Sequence, residues 1–259
     1  MLLKILIILI IILLSYSIVP TYFYKVKYRL VEKRKSKEKV LYLTFDDGPD
    51  EKYTAKLLDL LKKHNIKATF FVVASFARNN PQIIDRMKKE NHCIGLHSFE
   101  HKNALFQSRG YTKYDFEESI KIMNDLGVNI KFYRPPWGHC NIFTSREIKK
   151  HNLKRVLWDV MVQDWQGNTT VEAITDKLLL RSKENSIICL HDGRGENEAP
   201  SRTIKALQKA IPIWKINGYK FATMEDYYEE KSISSSSDGI YGNGNTPHCS
   251  SSRRVKRSK

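Results

Sequence analysis

Five short polar stretches of this 259-residue chain each follow an apolar run that is typical of a β-strand. They supply carboxylates, imidazoles and a guanidinium, the groups that metal-assisted hydrolysis uses at the ends of successive strands. One such stretch is ordinary turn chemistry, but five in order indicate a single active site divided along the chain. The stretches are residues 44–49, 97–101, 134–138, 159–165 and 190–192.

Asp47, His97 and His101 form the predicted metal site. The two histidines are four residues apart, so on a helical turn their Cβ atoms lie about 5–6 Å apart on one face. Adding the Asp47 carboxylate gives three ligands and one open position, as in catalytic metal sites. Nitrogen and oxygen donors suit zinc, with cobalt, nickel or iron as alternatives. The competing interpretation is a surface histidine pair beside a capped turn.

A second group of residues predicts acid and base chemistry. Arg134 precedes two prolines, and a guanidinium held rigidly there can bind a carboxylate through paired hydrogen bonds. Asp164 and His191 follow two further strands, and an aspartate that orients a histidine and raises its pKa is a common general acid. Taken singly, each residue has an equally good simpler explanation: a surface salt bridge for Arg134, a core histidine for His191 and simple packing for Trp165.

From residue 40 onward, strand-like and helix-like segments alternate, which predicts a parallel sheet. Seven such units in fewer than 200 residues fit a compact (β/α) barrel of the α/β class. The alternative, an open doubly wound sheet, lacks its glycine-rich phosphate loop here. Strands are predicted at residues 40–45, 68–73, 93–96, 130–133, 155–162, 187–190 and 219–223, and helices at residues 53–64, 81–90, 113–126, 144–151, 170–182 and 201–217.

The formal net charge of +16 is concentrated in the flanks of the chain. Lys4, residues 25–39 and residues 240–259 together carry twelve of these charges, so the middle is only mildly basic. This pattern indicates tails beside an anionic surface, and the absence of aromatic-interleaved basic motifs argues against nucleic-acid binding. Cys93 and Cys189 lie in apolar runs, which predicts that both pack in the core.

Residues 5–24 carry no charge, and twenty helical residues span about 30 Å, the thickness of a bilayer core. We therefore predict a transmembrane signal-anchor over residues 1–24, making a single-pass membrane protein. The alternative is a signal peptide cleaved near residues 15–17. Positive charge is greater after this segment than before it, which on its own favours a cytoplasmic domain.

The remaining boundaries follow from composition. Residues 25–38 are predicted to be a basic linker and residues 39–230 a catalytic domain. Residues 231–259 are rich in serine, glycine and asparagine and end in basic residues, so we expect this tail to be disordered.

The five stretches together resemble the signature motifs of polysaccharide deacetylases with the NodB homology domain, also called carbohydrate esterase family 4. The resemblance extends over residues 39–227 in motif order and spacing. It implies a distorted (β/α) barrel that removes N-acetyl groups from the amino sugars of a polymer. Trp137 stands where many members have tyrosine, and Asp159 is an additional acid without an assigned role.

The resemblance also implies a role for each motif residue. Asp47, His97 and His101 would hold a divalent metal. Asp46 would be the base, positioned by Arg134, and His191 the acid, oriented by Asp164. The metal and the backbone N–H of Trp137 would stabilise the oxyanion, and Trp165 and Leu190 would form the wall around the acetyl methyl group.

The expected protein is thus a membrane-anchored deacetylase of a cell-envelope glycan, with peptidoglycan favoured over chitin-type oligosaccharides. Because the family's substrates lie outside the membrane, we expect an extracellular catalytic domain despite the charge bias. One alternative is another amide hydrolase or deformylase on the same scaffold, acting on a small or lipid-linked sugar. The other is a glycan-binding module without turnover. The sequence leaves the oligomeric state open.

Overall fold

The computed structural model describes residues 1–32 and 38–229. Its centre is one curled sheet in which every strand pairing is parallel. The strands are β1 (Val40–Asp46), β2 (Thr69–Val72), β3 (Cys93–Leu96), β4 (Phe132–Tyr133), β5 (Lys154–Arg155), β6 (Val160–Met161), β7 (Ser186–His191) and β8 (Lys220–Phe221). Their order is β5-β4-β3-β2-β1-β7-β6, and β8 pairs with the beginning of β1.

Helices cover the outer face of the sheet. Their apolar faces pack on the sheet. In the helix over residues 53–63, for example, helical spacing places Leu57, Leu58 and Leu61 against the core. The helices that follow the first strand include α3 (Tyr53–Lys63), α4 (Ala74–Asn79), α5 (Pro81–Lys89), α6 (Arg109–Asp125), α7 (Ile142–Lys150), α8 (Val171–Arg181) and α9 (Ala199–Ile216).

The central strand β1 is buried on both faces. Leu43 and Phe45 pack with the helices on the outer side, whereas Tyr42 packs inside the curl with residues such as Phe71. This alternation also turns Asp46, at the strand end, toward the inside. In the register of β1 with β7, Asp46 lies beside His191. All the strands end at the same edge, so the polar stretches that follow them meet there.

The predicted distorted barrel is confirmed as a curled, incompletely closed parallel sheet. One predicted strand, residues 155–162, is instead two short strands, β5 and β6. The chain between them crosses from one end of the sheet to the other: Val156 N–H donates to Tyr133 O and Asp159 N–H to Ile187 O, both at 2.9 Å. The mostly apolar residues of this stretch divide between the inner core (Val156, Leu157) and the outer core (Val160, Val162), and their pattern along the chain does not show the crossing.

Two helices also differ from the prediction. Helix α4 was not predicted, because its six residues are too few to show a helical period. Helix α6 begins four residues before the predicted start, at Arg109, where the Ser108 hydroxyl accepts a hydrogen bond from Tyr111 N–H at 3.2 Å.

The N-terminal segment is helical from Leu2 to Glu32, as α1 (Leu2–Leu13) and α2 (Val19–Lys27), each followed by a π-helical turn. Within residues 1–32 and 38–229, no helix combines the length and the apolar character needed to cross a membrane. The second half of the segment packs on the domain: Ser17 Oγ donates to Leu105 O, and Thr21 Oγ1 to Cys140 O, each at 3.0 Å. Residues 33–37 of the predicted basic linker and the whole predicted tail (residues 231–259) lie outside the described residues, whereas residues 25–32 of the linker belong to this helical segment.

Candidate active site

Asp46 and Arg134 form a buried ion pair at the bottom of a pocket. Arg134 is fully buried, and its Nη1 donates to Asp46 Oδ1 and to Thr44 Oγ1, both at 2.7 Å. Its other nitrogens donate to the carbonyls of Val156 and Leu157. Four hydrogen bonds thus hold the guanidinium in place, so it fixes the orientation of the Asp46 carboxylate.

Asp47 follows directly and contacts both predicted histidine ligands. Its Oδ1 lies 2.9 Å from Nε2 of His101 and 3.3 Å from Nε2 of His97. Burial raises the pKa of Asp47, but the His101 and His97 imidazoles outweigh burial and hold that pKa below its ordinary value. On the other side of the His97 ring, Nδ1 lies 2.7 Å from Arg134 O, which points Nε2 toward Asp47.

His191 and Asp164 form a second pair across the pocket. Asp164 is fully buried and lies 2.9 Å from His191 Nδ1, and it also accepts a hydrogen bond from His191 N–H at 2.9 Å. Burial lowers the pKa of His191, but the Asp164 charge and hydrogen bond overcome burial and raise it to about 9. His191 is thus protonated at neutral pH and can donate a proton.

Strained backbone conformations also occur in these loops. Asp47, Ser98, His101 and Trp137 have φ values of 73°, 95°, 56° and 54°, in the left-handed region that non-glycine residues avoid. Each such residue costs on the order of 1–3 kcal/mol, so the surrounding fold must hold it in place. Strain of this kind, at the ends of β1, β3 and β4, marks the site as built for function.

Comparison with known proteins identifies the family. A family model described as polysaccharide deacetylase matches residues 33–156. A peptidoglycan-N-acetylglucosamine deacetylase of Bacillus cereus is 33% identical over 196 residues, which cover 75% of this chain and 90% of that protein. The chain belongs to the polysaccharide deacetylase family. A peptidoglycan-N-acetylmuramic acid deacetylase of Bacillus subtilis, PdaA, is also 33% identical, over 76% of this chain and 74% of its own.

Solved structures of polysaccharide deacetylases share the fold. The Bc1960 peptidoglycan N-acetylglucosamine deacetylase has a TM-score of 0.68 and 34% identity, over 73% of this chain and 87% of that one. A family 4 acetyl xylan esterase from Clostridium thermocellum, solved with a cobalt ion, has a TM-score of 0.68 and 33% identity, over 75% of this chain and 92% of its own. The chain is therefore a polysaccharide deacetylase, a metal-dependent hydrolase.

The residues present fit the divalent metal that polysaccharide deacetylases use. Asp47, His97 and His101 each offer a ligand atom, and these atoms lie within 4.8 Å of one another. Asp47 Oδ1 and His101 Nδ1 are buried without a regular hydrogen-bond partner within the described part of the chain, and an ion would satisfy the carboxylate. The donor set accepts zinc, cobalt, nickel or iron.

The deacetylase pocket has a volume of about 400 Å³ and opens to solvent. The Trp137 ring stands edge-on to His101 with the centroids 4.4 Å apart, and the Trp165 ring stands edge-on to His191 at 5.0 Å. The structure thus brings together the predicted metal ligands, the predicted acid and base with their partners, and both predicted tryptophans. Trp158 and Met161 also line the pocket, although no motif pointed to them.

Leu190 is the predicted wall residue that the structure does not bring into the pocket. It is fully buried and packs in the outer core with the helices. Side chains alternate along β7, so Cys189 and His191 face the pocket while Leu190 faces away. Cys189 therefore lines the pocket in its place. It is buried, as the sequence predicted, and its Sγ lies 3.4 Å from Asp46 Oδ2.

Sequence reasoning missed the residues that support this edge of the sheet. Thr203 Oγ1 in α9 donates to Asp164 Oδ2 at 2.9 Å, and no spacing signalled this contact. Asp192 accepts a hydrogen bond from Thr54 Oγ1 at 2.6 Å, and burial raises the pKa of Asp192 to about 7. A side chain at Gly48 would meet Asp192 Oδ2 at 2.3 Å, which explains the glycine of the first motif.

Asp159, the additional acid, has a structural role. Its Oδ2 accepts a hydrogen bond from Ile187 N–H at 3.0 Å, and its own N–H donates to Ile187 O. It therefore joins the crossing segment to β7 and lies outside the lining of the pocket.

Proposed function

We propose that this polysaccharide deacetylase removes N-acetyl groups from the amino sugars of peptidoglycan. One observation carries the proposal: around a single pocket, a carboxylate fixed by Arg134, a three-ligand metal site and a protonated histidine face one another. Hydrolysis of an amide needs these three elements, namely a base for water, a stabilised oxyanion and an acid for the leaving amine.

Asp46 acts as the base in this proposal. Arg134 holds Asp46 Oδ1, so Oδ2 is the oxygen that faces the pocket and accepts the proton of the attacking water. Asp47, His97 and His101 would hold a divalent ion, and its Lewis acidity would polarise the acetyl carbonyl. The backbone N–H of Trp137 assists by donating to the developing oxyanion.

His191 acts as the acid. Asp164 occupies its Nδ1, so Nε2 carries the proton that is delivered to the sugar nitrogen when the carbon–nitrogen bond breaks. Trp165 stands against the His191 ring and limits the space beside the reacting amide. Within this proposal, the products are acetate and a glycan that carries a free amine.

A polymeric substrate is supported by the shape of the site. A second depression of about 500 Å³ shares Glu196 with the pocket and is lined by Gln166, Gly167, Asn168 and Asn197. This depression adjoins the pocket at Glu196 and would accommodate further sugars of a chain beyond the reacting position. A closed pocket would be expected for a small-molecule amide. The named activities of the Bacillus relatives favour peptidoglycan over chitin-type oligosaccharides.

The test is acetate release by the full-length protein from purified peptidoglycan, N-acetylated chitin oligosaccharides and O-acetylated xylan, each with and without chelator. Fastest release from peptidoglycan, lost with chelator and restored by zinc or cobalt, is the expected result. Faster release from xylan would instead make the protein an esterase. Faster release from the short oligosaccharides would overturn the polymer assignment.

We further propose that the N-terminal segment attaches the protein to a membrane, with the catalytic domain on its outer side. Ser17 and Thr21 are buried against the domain, whereas the apolar side chains before them are exposed at Leu2, Leu3, Ile5, Leu6, Ile7, Ile8, Ile10, Ile11, Leu13 and Leu14. Tyr16 Oη also donates to Gln107 O. Lipid around the exposed half would remove that apolar surface from water, and the buried half would keep the domain close to the lipid surface.

Protease treatment of wall-stripped cells tests the location. Digestion of the domain in intact cells, and recovery of the full-length chain in the membrane fraction, are expected. A chain shielded until the membrane is opened would place the domain inside and would demote peptidoglycan in favour of an acetylated precursor. Release of a truncated chain into the medium would instead indicate a cleaved segment.

A further inference from the structure

A second set of metal-binding side chains lies beside the predicted metal site. Asp46, Cys189 and His191 each offer one ligand atom, and these atoms lie within 4.8 Å of one another. The set arises from neighbouring strands, because β1 and β7 run parallel with Asp46 in register with His191. Cys189, two residues before His191, points to the same face of the sheet.

The free atoms of this set point into the pocket. Arg134 occupies Asp46 Oδ1, and the hydrogen bond to the other oxygen within residues 1–32 and 38–229 comes from the Cys189 thiol, a weak donor, at 3.4 Å. Asp164 occupies His191 Nδ1, so Nε2 is the nitrogen left for a ligand. All three side chains line the same cavity, so a solvated ion can reach them.

We propose that Asp46, Cys189 and His191 form a second cation site for a thiophilic divalent ion such as Zn²⁺ or Cd²⁺, and that its occupation inhibits the enzyme. Inhibition rests on the proposed roles of Asp46 and His191, because the ion would take up both the base oxygen and the acid nitrogen. The binding itself does not depend on those roles.

The donor types determine which ions this second site accepts. Sulfur, nitrogen and oxygen ligands with one open position match the preferences of zinc and cadmium, whereas magnesium and calcium prefer oxygen ligands alone. Binding releases the thiol proton of Cys189 and the Nε2 proton of His191 to solvent, and no electron is transferred. Because burial makes the thiol difficult to ionise, only an ion with a strong bond to sulfur can displace its proton.

The two sites lie side by side. Asp46 Oδ2 is 4.0 Å from His97 Nε2, a ligand of the first site. Three carboxylates, those of Asp46, Asp47 and Asp164, surround the pair of sites, and Arg134 is the buried guanidinium that opposes them. A divalent ion in the first site balances these charges once His191 has lost its proton, so the second ion is attracted by the thiolate that Cys189 forms on binding.

Cadmium titration of the full-length protein, preloaded with one equivalent of Zn²⁺, tests the binding directly. Every chain compared, the reference wild type included, carries Cys249→Ser, so that this thiol of the C-terminal tail cannot bind cadmium. Cadmium bound to a thiolate gives a charge-transfer absorption in the ultraviolet, and the first site contains no cysteine. We expect two metal ions per wild-type chain with this absorption, and one ion without it in Cys189→Val. His101→Ala should retain the absorption, because it removes a ligand of the first site only.

Cys93→Val is the matched control, since Cys93 is a buried thiol of the inner core and lies outside the pocket. It should retain both ions and the absorption. Cys189→Ser, which preserves volume, repeats the test if the valine variant does not fold. A wild-type chain that binds one ion without thiolate absorption, or an absorption that persists in both Cys189 variants, would overturn the proposal.

Inhibition is measured separately, as the ratio of each protein's rate in excess Zn²⁺ to its own rate with one equivalent. The inhibition constant should rise at least about 10-fold in Cys189→Val, by analogy with the 10–100-fold effect of losing even outer-shell partners. An unchanged constant would show that the bound ion does not inhibit. If peptidoglycan deacetylation itself fails, the cadmium absorption and metal count still decide whether the second site exists.

Discussion

The two sides of the pocket are held in different ways. On the acid side, Asp164 is fully satisfied by protein: it contacts His191 through two atoms and accepts a third hydrogen bond from Thr203. On the metal side, Asp47 Oδ1 and His101 Nδ1 are buried without regular partners within residues 1–32 and 38–229. One side is complete as folded, and the other needs an ion.

The folded chain alone therefore forms the acid side, whereas a bound ion completes the metal side. The protonated state of His191 is set by a fixed carboxylate, so the acid is ready before substrate or metal binds. The metal ligands are instead placed by strained loops, in which Asp47 and His101 have positive φ. An ion that binds only the folded chain contributes directly to its stability.

The largest effect is expected at Asp46, which lies between the two sides. Asp46→Asn keeps an oxygen for Arg134 but cannot accept a proton from water, so the rate of acetate release should fall about 10²–10⁴-fold. Metal content should remain near one ion per chain when a single equivalent is supplied. Asp47→Asn is the reciprocal variant and should lose the metal. If Asp46→Asn is the one that loses it, the roles of the two aspartates are exchanged.

His101→Ala tests the metal side alone. Loss of one of three ligands should lower metal affinity at least about 10–100-fold, with activity falling in step at limiting metal. Added Zn²⁺ should raise the melting temperature of the wild-type protein but much less that of the variant. His64→Ala, at the end of α3 and outside the pocket lining, is the control that should behave as wild type. Equal metal content in both variants would contradict the three-ligand site.

Asp164→Asn tests the acid side through pH. Burial lowers the pKa of His191, but Asp164, assisted by the charges of Asp47 and Asp46, raises it overall from 6.5 to about 9. Catalysis needs the protonated ring, so wild-type activity should fall as the pH rises through about 9. Without the Asp164 carboxylate, this alkaline limb of the pH–rate profile should move toward pH 6.5. The rate at pH 8 should therefore fall roughly 30-fold. The same pair stabilises the fold fully below pH 6.5 and loses this contribution as the pH rises through about 9.

Asp159→Asn is the control for the pH profile. Asp159 also bonds to β7, through the backbone of Ile187, yet it lies outside the pocket lining. The alkaline limb of the pH–rate profile of Asp159→Asn should coincide with that of the wild type. A limb that stays in place in Asp164→Asn as well would show that another group is the acid.

Sequence reasoning anticipated the parts of the site that are encoded locally. The four-residue spacing of His97 and His101 and the adjacent carboxylates of Asp46 and Asp47 are visible in the chain, and the structure brings these residues to one pocket. The alternation of strands and helices likewise predicted the parallel sheet, because periodicity is a property of each segment.

The features that sequence reasoning missed depend on the direction in which a side chain points and on contacts between residues that are distant in sequence. Leu190 and Cys189 are adjacent apolar residues, and only the register of β7 decides which faces the pocket. The crossing between β5 and β6 is set by the two ends of the curled sheet, which no local pattern contains. Thr203 reaches Asp164 across 39 positions of sequence, so its role appears only in three dimensions.

Thr203→Val should give the smallest effect and refines the comparison within the acid side. The substitution preserves shape and removes one of the hydrogen bonds to Asp164, while both contacts with His191 remain. A hydrogen bond to a charged group contributes about 1.5–3 kcal/mol, so stability to urea should fall by this amount. The alkaline limb should stay near pH 9, because Asp164 still bonds to His191 Nδ1, and the rate should fall less than about 10-fold.

Thr175→Val is the matched control. The Thr175 hydroxyl bonds to the Val171 carbonyl four residues earlier in α8, as that of Thr203 does to the Ala199 carbonyl in α9, but Thr175 has no contact with Asp164. If both variants lose the same stability, the Thr203 contact with Asp164 adds nothing, and the acid side rests on the Asp164–His191 pair alone.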